Sequence, residues 1–180
     1  YRVMGTQAWR AGPALHRVHP EHVVAVTVPE QLSGSVFDLR PGTTYELQLA
    51  AVDPDGGGAT ATVSPTTRQV PGDPATPRPR AVTSAATLTT ALSSAQAGDV
   101  ITLADGVYQG AFALNASGTT SNPIVLRGTT RDATVLDGNA VSGNVLEVYG
   151  SYVHVENLTI RNASRALRFQ GQGARGNVVR

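Results

Sequence analysis

The chain has 180 residues, of which 41% are hydrophobic and 15% charged, and its formal net charge is +1. That balance excludes a disordered polyelectrolyte and gives no electrostatic case for a nucleic-acid partner. With 19 Gly, 11 Pro and 5% aromatics, it also argues against coiled coils and helical bundles, which need Leu, Glu and Lys. No apolar run approaches the ~18 residues of a membrane helix. Cys is absent and all 14 basic residues are Arg. A disulfide framework, a Cys-ligated zinc and a lysine base or Schiff base are therefore ruled out for these residues.

Short alternating runs come first. Val24, Val26 and Val28 share one face of a predicted strand, and residues 34–39 form another. Tyr45, Leu47 and Leu49 line one side of a third, with Glu46 and Gln48 on the other. The Asp53-Pro54-Asp55-Gly56-Gly57-Gly58 turn returns the chain into a strand from Ala59 to Val63. About five strands and no helix predict a partial β-sandwich. Asp53, Asp55 and Gly56 echo the start of a calcium loop, but no bidentate Glu follows at the right distance, and a Gly-requiring hairpin explains them without an ion. His16, His19 and His22 are spaced i, i+3, i+6 beside Glu21. Pro20 interrupts that segment, so a surface loop is the simpler reading than a metal site.

Leu39-Arg40-Pro41-Gly42-Thr43-Thr44-Tyr45, followed by Leu47, Leu49 and Ala51, resembles the E-to-F corner of a fibronectin type III domain. The resemblance covers residues 1–68 and implies that the Tyr45 hydroxyl bonds back to the chain just upstream. The first two strands of such a module are missing. Residues 69–80 carry four prolines in the run Pro71-Gly72-Asp73-Pro74-Ala75-Thr76-Pro77-Arg78-Pro79-Arg80 and predict a stiff, extended linker.

Residues 81–180 open with one helical pattern. Leu88, Ala91, Leu92 and Ala95 recur at i, i+3, i+4 and i+7, with Ser84 or Thr83 as cap and Gly98 as stop. Short strands follow: 100–103, 111–114, 124–126, 135–136, 145–148, 153–160, 166–169 and 177–179. The run Val145-Leu146-Glu147-Val148-Tyr149-Gly150 aligns with Ala166-Leu167-Arg168-Phe169-Gln170-Gly171 at an offset of 21. Strands this short cannot bury a core alone, whereas stacked coils can, so a solenoid with a period in the low twenties is predicted. Leu146 then stacks on Leu167 inside, and Glu147 pairs with Arg168 outside.

The residues Ala97-Gly98-Asp99-Val100-Ile101-Thr102-Leu103-Ala104-Asp105-Gly106-Val107-Tyr108, the Ser117 to Gly128 segment, and Gly150-Ser151-Tyr152-Val153-His154-Val155-Glu156-Asn157-Leu158-Thr159-Ile160 with the turn at 162–166 resemble right-handed parallel β-helix proteins of the pectate-lyase-like superfamily. The likeness is to the start of chondroitinase-B-like polysaccharide lyases. It implies an all-β fold, with the short helix capping the first coils. It also implies a secreted bacterial protein that cleaves an acidic, uronic-acid polysaccharide by β-elimination.

In such lyases calcium ligands (Asn and Glu) and a catalytic Lys and Arg lie on later coils. None matches a position here, so no catalytic residue, metal or cofactor is assigned within the chain, and calcium is left to the full-length protein. Tyr1 and Val178-Val179-Arg180 read as strand interiors, so the expectation is a catalytically incomplete fragment cut at both ends. The substrate-binding candidates are Glu147, Tyr149, His154, Arg161, Arg165 and Arg168, as the edge of a groove for anionic glycan. The competing reading is ordinary outward polar residues on a solenoid. Sequon residues Asn157 and Asn162 are read as corner residues bonding backbone, where left-handed geometry is tolerated. A non-catalytic glycan-binding or adhesion protein is the alternative function, and a glycoside hydrolase lacks the paired carboxylates it would need.

Overall fold

A computed structural model describes residues 1–22, 27–29 and 31–180. The chain divides into two compact units, Tyr1–Val70 and Pro71–Arg180.

In the first unit β1 (Arg2–Val3), β4 (Tyr45–Val52) and β5 (Gly58–Val63) form an antiparallel sheet in the order β1-β4-β5. A second, two-stranded sheet pairs β2 (His16–Arg17) with β3 (Leu32–Ser33). The predicted return strand is present, and the Asp53–Gly57 turn closes it. Asp55 N–H donates to Asp53 Oδ1 at 3.0 Å, so that carboxylate is engaged by its own turn. The expected corner also forms: Arg40 N–H donates to the Tyr45 hydroxyl at 2.8 Å. Two small antiparallel sheets nevertheless stand where a five-stranded sandwich was expected. The reason is burial: among the described residues of this unit Tyr45 alone is a buried hydrophobic, and every residue of β5 is exposed. Residues 34–39 are not a strand, and Phe37 is exposed. Val24 and Val26 lie outside the described residues, and Val28 lies in no strand.

The second unit is a parallel β-solenoid of about four turns over residues 78–179. Its first face stacks β6 (Arg78–Val82), β7 (Asp99–Leu103), β10 (Ile124–Gly128), β12 (Val153–Glu156) and β14 (Val178–Val179). Its second and third faces share two long strands. β11 (Thr134–Val148) pairs at its start with β8 (Gly106–Gln109) and at its end with β9 (Phe112–Leu114). β13 (Thr159–Phe169) follows β11 along both faces. Two separate predicted strands, 135–136 and 145–148, are thus one strand with register shifts between Asp137 and Asn144, where the chain turns the corner.

Inward residues alternate as the pleat demands: Ile101 and Leu103, Ile124 and Leu126, Val153 and Val155 all enter one apolar core. The predicted stacking is present, with Leu146 opposite Leu167 and Glu147 opposite Arg168. The 21-residue offset is local to the third face. On the first face Val100, Val125, His154 and Val178 are stacked partners, so successive coils take 25, 29 and 24 residues. Only strands must register; corners absorb the extra length.

Helix α1 (Ala85–Ser93) packs against β9 and β6, burying Leu88, Ala91 and Leu92 over the solenoid core. Ser84 caps it reciprocally with Thr87: Thr87 N–H donates to Ser84 Oγ at 3.2 Å and Ser84 N–H to Thr87 Oγ1 at 3.0 Å. It stops at Ser94, four residues before the expected Gly98. Arg80 holds that end, donating to the carbonyls of Ala91 and Ser94 and to buried Asp99.

The Pro-rich segment is not only a linker. Its end is β6, parallel to β7, with Pro79 inside the strand. An edge strand tolerates proline because its outward side has no ladder partner to lose. Before β6, residues 71–77 lie against the outside of the first face. Ala75 N–H donates to Ser121 O at 2.8 Å and Thr76 N–H to Asn122 Oδ1 at 2.8 Å. Asp73 pairs with Arg127, and Arg180 Nη1 donates to Pro71 O at 2.8 Å.

Candidate functional site

Four of the six predicted binding residues meet on the third face. Glu147 and Tyr149 follow one another outward near the end of β11, and register places Arg168 of β13 beside Glu147. Tyr149 donates its hydroxyl to Glu147 Oε2 at 2.6 Å, Gln170 Nε2 donates to that hydroxyl at 3.3 Å, and Asn144 Nδ2 donates to Glu147 Oε1. The predicted Glu147–Arg168 ion pair does not form within 4 Å. Asn144 and Tyr149 already occupy the two carboxylate oxygens. Among the described residues the Arg165 and Arg168 side chains have neither a hydrogen bond nor an ion pair, and both residues are exposed.

The protonation states follow from these contacts. The Tyr149 hydroxyl, then the Asn144 amide, then the charge of Arg168 hold the Glu147 carboxyl below its ordinary range. Glu147 in turn pushes the Tyr149 phenol up. At neutral pH the row therefore presents an ionised acceptor, a protonated phenol that cannot serve as a base, a side-chain amide and two uncommitted guanidinium groups. Such a row can hold sugar hydroxyls and carboxylates. It has no group poised to take a proton.

The other two predicted residues are elsewhere. Arg161 donates Nε to Asp137 Oδ2 at 2.9 Å, at the corner between the second and third faces. Asn139 N–H, Arg161 and Asn162 together hold the Asp137 carboxyl low. Beside them Asn139, Ser142, Asn162 and Ser164 line an open depression. Past that corner, Arg165 stands opposite Asn144 where the third face begins.

His154 is on the first face and only 3% exposed, so it is not a groove residue. Its buried Nδ1 has no partner, and burial, reinforced by Arg180, pushes its pKa down. Val153 and Val155 on either side of it point into the core. What the sequence did not disclose is that residues 71–77 lie against its outer side.

The corner reading holds for Asn157, whose φ is 53° and whose Nδ2 donates to the Gly128 and Thr129 carbonyls. Asn162 is also left-handed, at φ 60°, but bonds the Asp137 carboxylate rather than backbone.

Sequence reading missed several polar groups. Arg127 and Arg180 both donate Nε to Glu156, which is 5% exposed. Spacing does not disclose this because the three residues lie on three coils. Tyr152 at φ 55° accepts from Arg175 Nε at 3.2 Å, and Thr120 and Arg175 push its phenol down. No group of three or more His, Asp or Glu is placed to hold a metal among the described residues. Of the three spaced histidines, His19 stacks on His22 with ring centroids 5.4 Å apart, and His19 Nδ1 lies 2.7 Å from Glu21 Oε1.

The family model described as Chondroitinase B matches residues 82–173, which are the capping helix and the stacked coils. The chain belongs to the chondroitinase B family. Among solved structures, an alginate lyase from Paenibacillus sp. str. FPU-7 is similar, with a TM-score of 0.50 and 29% sequence identity over 56% of this chain. The match covers 36% of that lyase, so this chain spans about a third of its length. No curated protein matches. No helix among the described residues of this chondroitinase B family member is long and apolar enough to cross a membrane.

Proposed function

We propose that this chain supplies the first coils of a secreted polysaccharide lyase acting on an acidic, uronic-acid polysaccharide. The family match over the coils carries the reading. The likeness to an alginate lyase makes a uronate polymer such as alginate the first substrate to try. In β-elimination a base takes the proton beside the sugar carboxylate, the neighbouring C–O bond breaks, a C=C bond forms, and the leaving oxygen is protonated. Within this chain no Lys is available, Glu147 is held ionised and Tyr149 protonated. The chain's part is therefore binding: Arg165 and Arg168 for sugar carboxylates, Glu147 and Gln170 for hydroxyls. The base, the proton donor and any calcium ligands are assigned to coils beyond residue 180.

The absence of a base also supports a second reading, a solenoid that binds glycan without cleaving it. One experiment separates them. The protein extended past residue 180 is mixed with alginate, chondroitin or dermatan, and the ultraviolet absorbance of unsaturated product is followed. The lyase reading expects product from the extended protein and none from residues 1–180. No product on any polymer overturns it in favour of the binder, and cleavage by residues 1–180 alone overturns the placement of the catalytic groups.

A further inference from the structure

The first unit holds a cavity of about 290 Å³ lined by Arg2, Arg10 and Arg40, with Asp38 as its one acidic residue. Each arginine is fixed differently. Arg40 sits on the Tyr45 corner: its N–H donates to the Tyr45 hydroxyl and its carbonyl accepts from Thr67 Oγ1 at 2.6 Å. Arg10 N–H donates to Tyr1 O, and the Tyr1 terminal ammonium donates to Arg10 O, both at 2.8 Å. Arg2 donates Nε to Glu46 at 2.7 Å and lies 4.4 Å from the centroid of the Trp9 ring. The backbone is thus pinned, while among the described residues the guanidinium groups of Arg10 and Arg40 have no hydrogen-bond or ion-pair partner. Two uncommitted cations and the free end of a third, around one cavity, form a receptor for planar oxyanions.

We propose that this cavity is a second glycan site, binding carboxylate-bearing sugars independently of the solenoid. It rests on the reading of the substrate as an acidic polysaccharide, and makes the first unit a binding module rather than a spacer. Arg10 and Arg40 take the carboxylate in bidentate bonds, and Arg2, stacked on the half-exposed Trp9 ring, adds charge.

Trp9 is the only tryptophan in the chain and its ring lies against Arg2 of the cavity lining, so its fluorescence reports on this site. The full chain is titrated with alginate oligosaccharides, with a neutral glucan, a sulfated glycan and sodium acetate in parallel. A saturable change is expected with alginate alone. R10A/R40A should weaken it at least tenfold, and R165A/R168A on the solenoid should leave it unchanged. D38N removes the one acidic charge in the cavity lining and keeps a side chain that tolerates the positive φ of 57° found there. It should tighten binding two- to fivefold, which tests the site without dismantling it. An unchanged affinity in R10A/R40A, or an equal response to neutral glucan, overturns the proposal. A response to sulfated glycan or acetate equal to that with alginate overturns its commitment to a carboxylate sugar. Trp9 binding without lyase activity in the extended protein would leave this site standing and remove only the lyase reading.

Discussion

Replacing Leu146 with Ala tests the stacking directly. Leu146 is fully buried, and its strand partners in register are Phe112 on one side and Leu167 on the other. Leu-to-Ala changes in cores cost about 2–5 kcal/mol, the upper part of the range applying where neighbours cannot collapse into the void. Here the neighbours on both sides are fixed by ladder hydrogen bonds, so about 3–4 kcal/mol is expected. For a unit the size of Pro71–Arg180, each kcal/mol lowers the melting temperature by roughly 4 °C. The expected fall is about 12–16 °C in thermal unfolding followed by circular dichroism. Glu147→Ala, one residue along and facing out, removes two surface hydrogen bonds but no apolar contact, and should lower the melting temperature far less than Leu146→Ala. If Leu146→Ala is tolerated as well as Glu147→Ala, residue 146 does not face a core and the rung register is wrong.

Other perturbations probe different contacts. A Cβ on Gly150 would lie 1.9 Å from the Ala116 carbonyl oxygen. Gly150→Ala should therefore cost about 3 kcal/mol or more by overpacking, read as a lowered denaturation midpoint. Glu156→Gln strips the shared carboxylate from Arg127 and Arg180. A loss of about 2–3 kcal/mol is expected, less than the ~3–5 kcal/mol of a fully buried pair because both arginines are partly exposed. Acid should act in two stages. The His154 pKa is lowered by folding, so below about pH 6.5 the unfolded chain binds the extra proton and stability declines. Asp105, Asp137 and Glu147 are also lowered, so their contribution is complete above about pH 5 and is lost as pH falls below about 4. In melting-temperature profiles His154→Gln should remove the first stage and leave the second; persistence of both would refute the assignment.

The solenoid was legible because its signal is repetition. Leu146 and Leu167 occupy equivalent places in two matching strings, and strands this short bury a core by stacking on their copies. The helix cap was legible at Ser84 because capping is local chemistry. What stayed hidden depends on contacts between coils or across the outside of the sheet. His154 reads as an outward polar residue in the sequence, but residues 71–77 run along the outside of its face, and Arg180, Glu156, Asp73 and Arg127 lie around it. Glu147 and Arg168 are neighbours as expected, but Asn144 and Tyr149, closer along the same strand, reach the carboxylate first. The sandwich failed for a related reason: strand patterns in the first unit are clear, but alternation does not state how much apolar surface the sheets bury.

The most direct test of the account is a glycan titration of the ¹⁵N-labelled chain followed by NMR. With alginate oligosaccharides, the account expects amide shifts in the second unit to cluster at residues 144–149 and 165–170, with buried His154 and its neighbours unmoved. A third face that stays silent while the rest of the solenoid responds, or a chain that shows no shifts at all, would contradict it.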